Sequence, residues 1–97
     1  MTHNPEQSER LLALAAKLTT GAQKALLLMD GEFKFGGAGT FNANGAWALH
    51  WLRGVRRGEL AEIQRMGRGK SFRYAYRLTP LGIALRDYIR ARAGDGA

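Results

Sequence analysis

Apolar residues recur at helical spacing in four stretches of the chain and at a spacing of two in another. In "SERLLALAAKL", Leu11, Leu14 or Ala15, and Leu18 fall on one side of a helix, with Ser8 as its predicted cap. A second helix is predicted over "GAQKALLLMD", where Ala22, Ala25, Leu26 and Met29 form the inward stripe, and Thr19, Thr20 and Gly21 separate it from the first. The next twelve residues, "GEFKFGGAGTFN", hold four glycines and three phenylalanines. Glycine weakens helices and strands and favours tight turns, so this piece reads as a loop or a short extended segment, leaving room for a short strand.

A third helix is predicted over residues 43–57, with Asn42 or Asn44 as cap. At about 100° per residue, Ala48, Trp51, Leu52 and Val55 gather on an apolar side, and Ala46, His50, Arg53 and Arg57 gather opposite as a polar and cationic ridge. Gly54 weakens the helix and Gly58 ends it.

The period then changes. "ELAEIQRM" reads as a strand and "SFRYAYRLT" as a stronger one, with Phe72, Tyr74, Tyr76 and Leu78 on one face and Arg73, Ala75 and Arg77 on the other. Gly67, Arg68, Gly69 and Lys70 between them predict a basic hairpin tip. Thr79 is a good N-cap, Pro80 suits the first helical position, and Leu81, Leu85, Tyr88 and Ile89 form the stripe of a last helix to about Arg92. The fold class expected is α+β: a mostly helical single domain over residues 1–97 with a two-stranded hairpin and frayed tails at 1–7 and 93–97.

The formal net charge of +7 is concentrated. Residues 1–52 carry four Lys/Arg and four acids, whereas residues 53–77 carry eight Lys/Arg against Glu59 and Glu62, a local excess of +6. Such a field suits a polyanion, chiefly nucleic acid, although anionic lipid or an acidic protein would answer to the same count. Cysteine is absent, which removes disulfides, thiol nucleophiles and zinc–thiolate sites and fits a cytoplasmic location. With two histidines, His3 and His50, a multi-histidine metal site is not available; no cofactor is expected, and no apolar run is long enough to cross a membrane.

Two nucleotide-binding patterns are approached and missed. "GKS" at 69–71 lacks the upstream P-loop glycine, since that position is Gln64, and "GGAGTFNANG" is not framed as a strand-turn-helix unit. Glu59 and Glu62 read as solvated or paired with Arg56, Arg57 or Arg65, and no nucleophile-base-acid order is visible, so an enzyme is not expected.

"YRLTPLG" resembles the segment that closes the wing and opens the next helix in winged helix-turn-helix transcription regulators of the MarR-like and PadR-like groups. "WLRGVRRGELAEI" resembles their path from recognition helix into the first wing strand. The resemblance spans residues 22–90. It implies a winged helix that binds double-stranded DNA, with helix three in the major groove and the basic wing on the backbone or minor groove, in a homodimeric regulator. The positions it marks for DNA contact are Asn44, His50, Arg53 and Arg57 near helix three, Arg68 and Lys70 at the wing tip, and Arg73 on the strand; Thr79 and Gly82 are structural. The chain departs from the family where a short helix normally precedes the recognition helix, because "GEFKFGGAGTFN" predicts none. The competing expectation is a winged-helix protein-interaction module, with Phe33, Phe35, Phe41 and the tryptophans as a partner surface. Trp47, Trp51, Phe72, Tyr74 and Tyr76 are otherwise expected to pack, the tryptophans as core or interface anchors, although single-stranded RNA readers also combine aromatic and basic residues.

Overall fold

The computed structural model describes the backbone of residues 5–37 and 39–95. Four helices and three strands follow in the order α1 (Pro5–Lys17), α2 (Thr20–Leu28), β1 (Lys34–Phe35), α3 (Ala43–His50), β2 (Ala61–Met66), β3 (Arg73–Leu78) and α4 (Pro80–Asp95). The strands form one antiparallel sheet in the order β1-β3-β2. This is the winged architecture expected, with β1 as the third short strand. Of the tails expected to fray, residues 1–4 and 96–97 lie outside the described residues, while 5–7 belong to α1 and 93–95 to α4.

The core draws on every helix and on β2 and β3. Leu11 and Leu14 of α1; Ala22, Ala25 and Leu26 of α2 with Met29 at its C-cap; Ala46 and Leu49 of α3; Leu60 and, in β2, Ala61; Tyr76 and Leu78 of β3; and Leu85 of α4 are buried together. Phe41, expected on a partner surface, is buried as well, edge-on to Tyr76 at 5.8 Å. The glycine-rich connection is therefore anchored by one ring in the core; among its described residues there is no helix.

Local signals set most boundaries. Thr19 caps α2, its hydroxyl accepting from the Ala22 amide at 3.2 Å, so Thr20 and Gly21 belong to the helix and do not separate it from α1. Ser8 is no cap, because α1 begins at Pro5. Thr79 does more than cap α4: its hydroxyl accepts from the Gly82 amide (3.1 Å) and donates to the Glu59 carbonyl (2.5 Å), and its own amide donates to the Leu60 carbonyl (3.0 Å). One residue thus ties the start of α4 to the entry of β2.

The third helix is shorter than its periodicity predicts and turned the other way. It ends at His50, with Trp51 as C-cap, and residues 51–60 form successive turns that pass through Gly54 at φ +82°. Its buried residues are Gly45, Ala46 and Leu49. Ala46, expected on the polar ridge, is fully buried, while Trp51, expected to face the core, is 50% exposed. The reason is close approach: α3 packs on α2 through Gly45, where a Cβ would overlap the Gly21 carbonyl oxygen and lie 2.8 Å from the Ala25 Cβ. Only a face of small residues allows that contact, so the tryptophans point elsewhere.

Candidate nucleic-acid interface

Asn42 opens α3 by accepting from the Asn44 amide at 2.8 Å, which leaves the Asn44 side chain exposed on the first turn. Trp47 follows three residues later and Trp51 four after that, a spacing that keeps all three on one face. Among the sequence-predicted site residues on this helix, His50 is half-buried. Its Nδ1 lies 2.9 Å from the Ala61 carbonyl. A carbonyl only accepts, so Nδ1 carries the proton and donates, and the ring brackets α3 to β2.

Arg53 and Arg57 do not continue α3; they project from the turns that follow it. That segment is held from behind. The Gly58 amide donates to the His50 carbonyl (3.2 Å), the Glu59 amide to the Arg56 carbonyl (2.9 Å), and the Glu59 carboxylate accepts from the Arg56 amide (3.1 Å) and pairs with Arg10 of α1. Partial burial works against the ionised Glu59 carboxyl, yet those two donors outweigh it and hold its pKa below the usual glutamate value. Arg57 lies with its guanidinium carbon 5.0 Å from the centre of the Trp51 ring.

The hairpin supplies the other half. β2 and β3 pair from Ala61↔Leu78 to Met66↔Arg73, and a single 3-10 turn at Gly69–Ser71 closes the tip, with Arg68 and Lys70 exposed on it. "GKS" is therefore a hairpin turn between antiparallel strands. Tyr76 is buried as expected, but Phe72 and Tyr74 are 38% and 41% exposed. They form a chain with the exposed tryptophans: Phe72 to Tyr74 at 5.4 Å, Tyr74 to Trp47 at 5.9 Å, and Trp47 to Trp51 at 6.3 Å between ring centroids. Arg65, a residue the sequence singled out only as an ion-pair partner, stands opposite Tyr74 and lies 4.1 Å over the Phe72 ring. Pairing register would have found it, because cross-strand partners share a face.

Arg73 is not part of this group. Alternation along β3 puts it on the opposite sheet face from Tyr74, where it lies 4.1 Å over Phe35 of β1. Arg77 is on that same side, over Phe33 at 4.4 Å and paired with Glu62 at 3.0 Å. With Glu59 committed to Arg10 and Glu62 to Arg77, no carboxylate among the described residues pairs with Arg53, Arg57, Arg65, Arg68 or Lys70.

Among the described residues no three His, Cys, Asp or Glu side chains cluster to hold a metal, and no helix is long and apolar enough to cross a membrane. A depression before α3 is lined by Gly36, Gly37, Gly39, Thr40, Asn42 and Ala43, without a titratable side chain. Comparison with models of known families, with curated proteins and with solved structures gives no match.

Proposed function

We propose that this chain binds DNA through the face formed by α3, the turns after it and the hairpin tip, and that it acts without catalysis of its own. The observation that carries this reading is the set of five exposed cations in those segments, Arg53, Arg57, Arg65, Arg68 and Lys70, with no carboxylate partner among the described residues. Surface cations lose little by staying unpaired in water, but a cluster of them raises the local potential and gains by releasing counterions when it meets phosphates. The wing tip suits backbone phosphates, and Asn44 at the start of α3 suits a base edge, since an amide side chain offers a donor and an acceptor together. A role as a homodimeric transcription regulator rests on the resemblance of "YRLTPLG" to MarR-like and PadR-like proteins. The exposed Trp47 and Trp51 favour a second reading, a protein-interaction module, whose surface would lack the buried Phe41.

Duplex titrations at several salt concentrations, with random and genomic fragments, separate the two. DNA binding that weakens steeply with salt and is impaired in R53A/R57A and R68A/K70A supports the proposal. No binding, or binding unchanged in both variants, removes it. Equal affinity for all fragments would keep DNA contact and remove sequence-specific regulation.

A further inference from the structure

The exposed surface of α3 is an unusual one for reading a duplex. Base pairs in the major groove offer only their edges, which polar side chains read by hydrogen bonding. Of the three exposed positions on α3 and its C-cap, Asn44 is the only residue with an amide to do this; the other two are tryptophans. From there the rings continue across to the hairpin as Trp51, Trp47, Tyr74 and Phe72, each between 38% and 50% exposed. Successive rings are inclined at 41°, 59° and 76°, so none lies flat on the next and closes its face. Each end of the band carries an arginine over a ring, Arg57 on Trp51 and Arg65 on Phe72.

We infer that, granted the DNA contact proposed above, this band takes unpaired bases, so that the preferred ligand is a duplex continued by a single-stranded stretch. The physical grounds are the match of groups. A base freed from pairing exposes two π faces, and any base can stack on an indole, phenol or phenyl ring; its sugar-phosphate then lies within reach of cations placed beside the rings. Charge decides against an uncharged apolar partner for the same rings, because Arg57 and Arg65 border the band without a carboxylate to neutralise them. The basic tip at Arg68 and Lys70 would hold the paired part of the ligand while the rings hold the open strand.

The test uses the full chain and three labelled ligands: a short blunt duplex, the same duplex with a thymidine tail, and the same duplex with an abasic tail of equal length. All phosphates of the two tailed ligands are alike, so electrostatics cannot tell them apart. The thymidine tail should bind about tenfold or more tighter than the abasic tail. Because the chain's two tryptophans both lie in the band, their fluorescence should be quenched by the thymidine tail and not by the abasic one. Trp51→Ala should abolish the preference and leave blunt-duplex binding in place, while Trp51→Phe retains part of it. Equal affinity for the two tailed ligands overturns the inference and leaves DNA binding standing, with the rings then assigned to a protein partner. Binding to none of the three overturns the DNA reading together with it. The comparison of tails on the unaltered chain decides the matter even if a variant fails to fold.

Discussion

Trp47 of α3 and Tyr74 of β3 meet with ring centroids 5.9 Å apart and planes inclined at 59°. This contact joins the helix to the wing outside the core, through two side chains that remain 43% and 41% exposed. The two halves of the candidate interface are thus joined by a contact partly open to water, in addition to the shared core and the His50 bond to the Ala61 carbonyl.

Such a pair should be energetically coupled, though modestly. A double-mutant cycle of Trp47→Ala and Tyr74→Ala, followed by urea unfolding, is expected to return a coupling of about 0.5–1 kcal/mol, the lower part of the range for aromatic pairs because both rings are hydrated. Strictly additive effects would show that the rings are neighbours without a stabilising contact.

The cations differ in position, and salt dependence should sort them. Each one that displaces a counterion from duplex DNA contributes about 0.9 to the slope of log affinity against log salt. R53A/R57A and R68A/K70A are each expected to lower that slope by as much as about 1.8, counting two contacts at about 0.9. Arg73→Ala should lower it least, because Arg73 lies over Phe35 on the other sheet face. A slope reduced as much by Arg73→Ala as by the paired variants would move the interface to that face.

Gly45 is the position where α3 tolerates no side chain. Gly45→Ala forces a Cβ into the Gly21 carbonyl and should destabilise the fold by about 1–3 kcal/mol, the usual cost of overpacking. Gly21→Ala is the control: a Cβ there meets nothing within 4 Å, and the position is helical, so stability should hold or rise by up to about 1 kcal/mol. Thermal melts of the two variants that coincide would contradict the close approach of α2 and α3.

Acid should weaken the junction between α2 and β1. The Lys34 ammonium bonded to Asp30 at 2.5 Å, helped by the Glu32 amide at 2.9 Å, holds the Asp30 carboxyl below its ordinary 3.8. A carboxyl whose pKa is depressed by folding contributes stability that is complete above its unfolded value and is lost as pH falls through the folded one. Asp30→Asn should therefore cost stability at neutral pH, and the gap to the parent should close as pH drops below about 4. A gap in urea midpoints that stays constant from neutral to strongly acid pH would show that Asp30 acts through shape alone.

Much of the architecture was legible because its signals are local. Thr79 and Pro80 mark the start of α4 by their own chemistry, and the Thr79 hydroxyl does accept from the Gly82 amide. The stripe of Ala22, Ala25, Leu26 and Met29 is buried as the spacing predicts, and alternation places Tyr76 and Leu78 inward. Residues 43–57 show where such signals stop. A helical wheel assumes that the helix continues, and it assigns the larger apolar residues to the core. Here the chain leaves the helix after His50, and the small residues Gly45 and Ala46 take the inward side.

By itself, then, the sequence determined the order of elements, the hairpin with its basic tip and the concentration of charge in residues 53–77, because caps, turns, alternation and charge depend on near neighbours. Tertiary structure alone decided which side of α3 is covered, that His50 is engaged by the Ala61 carbonyl, that Arg65 shares a sheet face with Tyr74 and Phe72 and that Arg73 lies on the other. Those outcomes follow from long-range geometry: the close contact of Gly45 with α2 sets the rotation of α3, and strand register sets which arginines share its face.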